Sequence, residues 1–173
     1  MRTQILSVFP ACGKTWVYNH QAALKLRILD SDSSQFSWVY EKDCYGNVVR
    51  KRNPEFPANY IKHIKENIGK YDYIFVSSHA SVRDLLDQEG IDFVIVYPFH
   101  GCKAEWIGRC YIREKNGESG CSTELMYNNY EQWLAECMET GKTHPEVTLY
   151  PGEHLSNWII NHRVSRIGDH VLR

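Results

Sequence analysis

The chain has 173 residues, of which 43% are hydrophobic and 24% are charged, a composition typical of a globular domain with a sizeable core. Its 20 Lys and Arg residues nearly balance 21 Asp and Glu residues, which gives a formal net charge of -1. This balance excludes a global positive field that would hold nucleic acid non-specifically, although it is compatible with a local basic groove.

Apolar runs of strand length alternate with helix-like runs along the chain, and this order predicts a parallel sheet covered by helices on both faces. The predicted strands are, in chain order, residues 3–9, 26–32, 71–79, 91–98 and 146–151. The predicted helices are residues 15–26, 56–70, 80–90, 127–141 and 152–164, with a further helix within 99–122. We therefore expect the chain to form a single domain over residues 1–173.

The segment 36–56 fits neither pattern. Its sequence, FSWVYEKDCYGNVVRKRNPEF, is compatible with a hairpin that turns at YGN. It is equally compatible with an irregular flap on the side of a site where a phosphate acceptor binds. Both interpretations stay open from the sequence.

The first predicted strand runs into SVFPACGKTW, which ends like a phosphate-binding loop. Such a loop has the pattern GxxxxGK[ST] between a strand and a helix, and here Val8 occupies the place of the first glycine. The loop binds phosphate through successive backbone N–H groups, whereas the first glycine mainly eases the turn out of the strand. Because Pro10 can make a different turn, the sequence still predicts a phosphate site here.

The residues of this loop have expected roles in binding ATP and Mg²⁺. Gly13 permits close approach of the backbone, Lys14 reaches the outer phosphates, and the Thr15 hydroxyl ligates Mg²⁺. The residues predicted to contact the nucleotide are Pro10, Ala11, Cys12, Gly13, Lys14, Thr15 and Trp16. A plain strand–turn–helix with a surface lysine is the alternative, and the location directly after a strand argues against it.

Two acidic residues, Asp30 and Asp32, follow the second predicted strand. Residues i and i+2 of a strand point the same way, and ligands bind at the carboxyl ends of the strands in open parallel sheets. We predict that both are catalytic, with Asp30 helping to hold Mg²⁺ and Asp32 positioning or deprotonating a substrate hydroxyl. A simple polar loop, DSDSS, is the alternative interpretation.

The third predicted strand ends in SSH, residues 77–79, where an acidic residue that binds a magnesium-bound water would be usual. This departure leaves the acids after the second strand to serve the metal. His79 and Arg83, which lies one turn into the next predicted helix, are expected to contact the substrate. Structural roles for both side chains stay open.

Basic residues cluster in KAEWIGRCYIRE, after the fourth predicted strand. Arg109 and Arg113 are four positions apart on the helix predicted there, and so they share a face. Guanidinium groups stabilise the charge that spreads over a migrating phosphoryl group, and a closing lid excludes water. We predict a lid over residues 99–125 in which Arg109 and Arg113 are catalytic; a solvated basic face is the alternative.

Taken together, these segments resemble the P-loop kinases of small molecules, in particular the nucleoside and nucleotide monophosphate kinases and the compact, divergent kinases of bacteriophages. The resemblance also rests on LYPGEHLSNWI (149–159) and on a "YP…K.EWI.R…R" segment. The residues of that segment are Tyr97, Pro98, Lys103, Glu105, Trp106, Ile107, Arg109 and Arg113. The resemblance implies a three-layer α/β/α sandwich with a five-stranded parallel sheet, ATP–Mg²⁺ as phosphoryl donor, and a helical lid.

Three functions are compatible with these patterns. The first is ATP-dependent phosphorylation of a small acceptor, a nucleoside monophosphate above all, although the DxD after the second strand also resembles shikimate- and gluconate-type kinases. The second is phosphorylation of a nucleic acid end or a modified base, for which Arg50, Lys51 and Arg52 beside Trp38, Tyr40 and Tyr45 could supply a basic groove. The third is a nucleotide-binding module without transfer activity.

The cysteines and the hydropathy of the chain indicate the cellular compartment of the protein. The six cysteines form no CxxC pair and no regular spacing, which favours reduced thiols over disulfides and argues against a zinc site. The apolar run near the N-terminus is too short for a signal sequence, and no later run is long enough to span a bilayer. We therefore expect a cytoplasmic protein without a membrane partner; its oligomeric state stays open.

Overall fold

The computed structural model describes residues 3–118 and 120–162, and its strands form a five-stranded sheet and a separate hairpin. The strands are β1 (Gln4–Val8), β2 (Ile28–Asp30), β3 (Trp38–Lys42), β4 (Val48–Arg52), β5 (Tyr73–Ser77), β6 (Val94–Pro98) and β7 (Glu146–Leu149). The sheet is parallel throughout, in the order β2-β5-β1-β6-β7, and β3 pairs antiparallel with β4.

Helices occupy most of the connections between the sheet strands. They are α1 (Lys14–Asn19), α2 (Ser34–Ser37), α3 (Ala58–Asn67), α4 (Ala80–Gln88), α5 (Lys103–Lys115) and α6 (Thr123–Gly141), and residues 155–162 are also helical. The fold is therefore α/β with a five-stranded parallel sheet, as predicted. No helix in the described part of the chain is long and apolar enough to cross a membrane.

The core lies around β1, the middle strand of the sheet. Leu6 of β1 is in register with Phe75 of β5 on one side and with Val94 of β6 on the other. Residues 5–8 and 73–76 are all buried. Since successive residues of a strand point to opposite faces, both faces of these strands are covered, which is compatible with a three-layer arrangement.

All five sheet strands end at the same edge because they are parallel, and this edge collects the segments predicted to form a site. β1 leads into residues 9–13, β2 ends at Asp30, β5 ends at Ser77, and β7 leads into residues 150–154. Segments far apart in sequence therefore lie side by side.

Some predicted boundaries were wrong. α1 ends at Asn19 rather than at 26, because the chain turns through residues 20–25 and Lys25 has a left-handed φ of 49°. α6 begins at Thr123 rather than at 127, because the Ser122 side chain accepts a hydrogen bond from the Leu125 N–H at 3.1 Å and caps the helix. Residues 163 and 164 of the last predicted helix lie outside the described residues.

The segment 36–56 contains a β-hairpin, one of its two interpretations. Its turn is fixed by the Asp43 carboxylate, which accepts backbone N–H groups of Tyr45 at 2.9 Å and Asn47 at 2.8 Å. Gly46 has a φ of 84°, the left-handed conformation that glycine adopts without strain. These contacts explain why YGN forms a tight turn between two strands.

The six cysteines are free thiols in the structure. Cys12, which lies beside the predicted phosphate loop, is buried, and its burial raises the pKa of the thiol to about 12. This thiol is therefore protonated at neutral pH and packs as a small apolar side chain.

Candidate functional site

A cavity of about 1210 Å³ opens at the edge of the sheet where the strands end. Its wall contains residues 10–16, the ends of β2 and β5, the hairpin, the second half of α5 and residues between 152 and 157. Cavities that hold one drug-sized molecule measure roughly 300–1,000 Å³. This cavity lies slightly above that range.

Residues 9–13, called the anchored loop below, connect β1 to α1 and carry two left-handed residues. Ala11 has a φ of 61° and Gly13 a φ of 96°. Val8, in the place where the phosphate-loop pattern has its first glycine, still belongs to β1 and is buried. The turn out of the strand falls on Ala11 instead, at a cost of about 1–2 kcal/mol for a residue with a Cβ.

Three successive carbonyl groups of the anchored loop are each held by a donor from another part of the chain. The Trp106 indole donates to the oxygen of Pro10 at 3.0 Å, and the Arg109 guanidinium donates to that of Ala11 at 3.2 Å. The backbone N–H of Leu155 donates to the oxygen of Cys12 at 2.8 Å. The loop is thus tied to α5 and to the start of the last helical segment.

These ties orient the opposite side of the loop. In a trans peptide the C=O and the following N–H point in opposite directions, so the N–H groups of Ala11, Cys12 and Gly13 face away from the three donors. Among the described residues, no backbone acceptor pairs with these three N–H groups. Consecutive backbone N–H groups without internal partners form a concave surface that binds anions.

Lys14, Thr15 and Trp16 continue from the anchored loop and also line the cavity. Trp16 stacks on His20 with 3.9 Å between ring centroids. Gly13 lies against His154, whose Nδ1 would be 3.5 Å from a Cβ added at that glycine. The predicted nucleotide-contacting residues, Pro10, Ala11, Cys12, Gly13, Lys14, Thr15 and Trp16, are therefore brought to one wall of the cavity.

Arg109 is a structural tie at this wall, and this differs from the predicted role of a free lid arginine. Its guanidinium donates to the carbonyl oxygens of Ala11 and Glu153, the latter at 2.7 Å, and to the Glu105 carboxylate at 2.5 Å. It also lies over the ring of Trp106, 3.8 Å from the centroid. Arg109 thus holds the loop in place, and it also lines the cavity.

Glu105 completes the same tie, because its carboxylate also accepts the backbone N–H of Gly152 at 3.1 Å. Glu105, Trp106 and Arg109 of α5 therefore join two loops that both border the cavity. The predicted lid 99–125 is consequently fixed at this end: Trp106 and Cys110 are fully buried. The cavity wall continues through Ile112 and Arg113 to Cys121.

Arg113 lies one helical turn beyond Arg109 and lines the cavity. Its side chain is 28% exposed, against 13% for Arg109, and its Nε is 3.8 Å from the Glu118 carboxylate. Both arginines predicted to be catalytic therefore line the cavity.

Asp30 and Asp32 both line the cavity, but their carboxylates are used differently. Asp32 accepts the backbone N–H of Ser34 at 2.8 Å and the Ser34 hydroxyl at 2.7 Å, which holds the start of α2. The pKa of Asp30 is raised mainly by burial, against the opposing charge of Lys14. Asp30 and Lys14 both line the cavity, and the positive charge of Lys14 acts on the Asp30 carboxyl.

His79 lines the cavity at the start of α4, as predicted from its place after β5. Burial lowers its pKa, and the charges of Arg52 and Lys14 lower it further. At neutral pH the ring is therefore uncharged, and a neutral imidazole can accept a hydrogen bond from a ligand.

Arg83 is not part of the cavity, so the prediction that it contacts substrate needs correction. The residue is 3% exposed, and its Nε donates to the Thr140 hydroxyl at 3.0 Å. Its Nη groups donate to the carbonyl oxygens of Ser78 and Glu136. Arg83 therefore joins α4 to α6, because a buried guanidinium must satisfy its donors with nearby carbonyls.

Several residues at this wall were not predicted as site residues: Gly152 and His154 line the cavity, and Glu105 and Leu155 hold the loops that border it. The predicted parallel sheet did indicate their location. Because parallel strands end at one edge, the segment after the fifth strand had to approach the loop after the first. What no pattern indicated is which backbone groups of these segments would bond to each other.

A magnesium ion carried by a nucleotide needs few protein ligands, since phosphate oxygens and water supply the rest. Thr15 and Asp30, the predicted metal ligands, both line the cavity. Within residues 3–118 and 120–162, no three His, Cys, Asp or Glu side chains come together as an all-protein metal site. The residues present thus fit a nucleotide-borne cation.

Comparison with known proteins adds no assignment: no protein-family model matches the chain, and no curated protein sequence matches it. The proposals below therefore rest on the residues of the site.

Proposed function

We propose that the chain is an ATP-dependent phosphotransferase with a P-loop, which moves the γ-phosphoryl group of ATP to a nucleotide acceptor such as a nucleoside monophosphate. One observation supports the proposal most strongly. The carbonyls of Pro10, Ala11 and Cys12 each accept a hydrogen bond, and the N–H groups of the three residues that follow them therefore point in the opposite direction. A loop held in this way presents a row of donors to an anion and needs no reorganisation when the anion binds.

The residues around this loop support phosphoryl transfer in particular. Lys14 extends the row of donors with a positive charge, while Thr15 and Asp30 would hold the magnesium ion. When bound, magnesium-complexed ATP supplies a γ-phosphoryl group that passes to a nucleophile while ADP leaves. Arg113 adds positive charge at the cavity wall, and the phosphate oxygen of a nucleoside monophosphate attacks as an anion; where the acceptor is a hydroxyl, the neutral ring of His79 can accept its proton.

The cavity volume supports a second substrate beside ATP. At about 1210 Å³ the cavity exceeds the need of one nucleotide. Residues 10–16 and the hairpin both line it. We assign the space next to residues 10–16 to ATP and the space next to the hairpin to the acceptor.

A second candidate function is phosphorylation of a nucleic acid end or a modified base. The observation that favours it is the hairpin, where the guanidinium groups of Arg50 and Arg52 lie over the ring of Trp38 at the cavity wall. Basic groups interleaved with aromatic rings are typical of surfaces that bind single-stranded nucleic acid.

The test is transfer from ATP labelled at the γ-phosphate to a panel of mononucleotides and of short DNA and RNA strands. The proposal expects at least one acceptor to become labelled, and expects Lys14→Ala to abolish that labelling. ATP binding without labelling of any acceptor would instead indicate a nucleotide-binding module without transfer activity.

A further inference from the structure

The register of the hairpin divides its basic residues between two faces. Trp38 is opposite Arg52, Tyr40 is opposite Arg50, and Lys42 is opposite Val48. Directly opposed residues share a face, and so do residues two positions apart. One face, the basic hairpin face, therefore consists of Trp38, Tyr40, Lys42, Val48, Arg50 and Arg52. The other face carries Val39, Glu41, Val49 and Lys51.

The basic hairpin face is the one that borders the cavity, because Trp38, Arg50 and Arg52 all line it. The guanidinium carbon of Arg50 is 3.9 Å from the centroid of the Trp38 ring, and that of Arg52 is 4.4 Å from it. A guanidinium held over an indole keeps its N–H donors at its edge, where they remain available to a planar or tetrahedral anion.

Charge is separated between the two faces. Lys51 forms an ion pair with Glu41 at 2.7 Å on the face away from the cavity. The basic hairpin face contains three basic residues and no acidic one. In the described ranges, no carboxylate forms an ion pair with Arg50 or Arg52. Two paired guanidinium groups without a carboxylate partner are complementary to phosphate.

The face also continues beyond the cavity. Tyr40 is 69% exposed, and Tyr45 at the tip of the hairpin is 87% exposed. A mononucleotide bound in the cavity would leave these rings in solvent. The bases of a strand that extends from the cavity would stack on such rings, whatever their sequence.

We infer that the basic hairpin face binds single-stranded nucleic acid, with Arg50 and Arg52 on backbone phosphates next to the nucleotide that enters the cavity. This deepens the second candidate function, phosphorylation of a nucleic acid end, and rests on that function for the fate of the bound nucleotide. The binding itself requires neither ATP nor transfer, so the two proposals can fail separately.

The experiment measures fluorescence anisotropy of a labelled single-stranded DNA of about twelve nucleotides, within the roughly 4–16 nucleotides that such sites cover. ATP is absent, and salt is varied. We expect Arg50→Ala and Arg52→Ala each to weaken binding about tenfold and to reduce the salt slope by about 0.7, the contribution of one phosphate contact on a single strand. Lys51→Ala is the matched control: it removes the same charge from the same hairpin but from the other face, and we expect less than a twofold change.

Three results would overturn the inference. The first is absence of DNA binding by the wild-type chain at low salt. The second is an equal loss for Lys51→Ala and Arg50→Ala, which would indicate general charge rather than one face. The third is displacement of the strand by a mononucleotide at the same concentration of nucleotide units, which would limit the site to one nucleotide. Circular dichroism of each variant verifies that the hairpin substitutions leave the fold intact.

A Lys14→Ala variant separates this inference from the proposed function. If the chain is a phosphotransferase that takes a strand, Lys14→Ala keeps its affinity for DNA while labelling of the acceptor is lost. Strand binding through Arg50 and Arg52 without any labelling in the wild type would refute the phosphotransferase and leave the binding surface standing. Labelling of mononucleotides without strand binding would refute the binding surface and leave the phosphotransferase standing.

Discussion

The anchored loop and the hairpin line the same cavity, but they present their binding groups in different ways. The loop is held by donors from two elements far away in sequence, α5 and the last helical segment, and the groups that we propose for anion binding are its backbone N–H groups. The hairpin is held mainly by its own pairing, and its binding groups are the exposed side chains of one face. Backbone donors suit a ligand part that never varies, such as a polyphosphate, whereas side chains can be exchanged to suit different acceptors.

The largest expected effect tests the loop side of this comparison. Lys14→Ala should lower kcat by at least ~100-fold, because the phosphoryl group in transfer loses the positive charge that stabilises it. Steady-state kinetics with the labelled acceptor measures the loss. Lys70→Ala, at an exposed site after α3, is the control and should leave kcat unchanged. A kcat for Lys14→Ala near that of the wild type would contradict the assignment of the loop.

The two arginines of α5 sharpen the comparison, because only Arg109 is bonded to the loop. Arg109→Lys should lower the free energy of unfolding by about 1–3 kcal/mol, since carbonyls of Ala11 and Glu153 lose a donor. ATP affinity should fall with it. Arg113→Lys should leave stability and ATP affinity nearly unchanged and lower kcat. Denaturant unfolding and ATP titration measure these values.

The opposite pattern would restore the simpler prediction from sequence. If Arg109→Lys lowers kcat while unfolding and ATP affinity stay as in the wild type, Arg109 acts on the transferred group and does not hold the loop.

A pair of glycines compares loop and hairpin directly. Gly13 and Gly46 both have left-handed φ values, 96° and 84°. Alanine at either position should cost about 1–2 kcal/mol of stability from backbone strain alone. Only Gly13→Ala should also weaken ATP binding, because only that glycine belongs to the anchored loop. Equal ATP affinities for the two variants would show that the loop conformation does not matter for binding.

The smallest expected effect on stability concerns Asp30. Burial raises its pKa in the folded chain, so ionisation costs stability once the pH exceeds the usual carboxyl pKa. Asp30→Asn should therefore raise the Tm at pH 7, by no more than the ~2–4 °C that 1 kcal/mol produces in a chain of this length, while transfer is lost. Below the usual carboxyl pKa the Tm difference should vanish, because the carboxyl is then protonated in both states. Thermal scans of both chains from pH 3 to 8 measure this difference. A Tm difference that stays constant over this range would show that the charge of Asp30 does not affect stability.

The sheet, and the edge at which the candidate site residues meet, were predictable because they depend on local patterns. Continuous apolar runs indicated the buried strands, and the parallel arrangement then required the segments around Lys14, Asp30 and His79 to meet at one edge. The direction of each side chain was predictable only where alternation along a strand determines it.

The contacts that hold the site were not predictable, since they join residues far apart in sequence. Arg109 reaches the carbonyl of Ala11 across 98 positions, and no periodicity reports such a bond. Arg83 resembled an exposed helical arginine, yet its position between α4 and α6 buries it. The division of Arg50, Lys51 and Arg52 between two faces required the register of the hairpin.

The most direct test of the central claim is the transfer of label from γ-labelled ATP, measured with the wild-type chain and with Lys14→Ala side by side. The account predicts label on a nucleotide acceptor with the wild type and none with Lys14→Ala. Label that remains in ATP or appears only as inorganic phosphate, with every mononucleotide and strand offered, would contradict it.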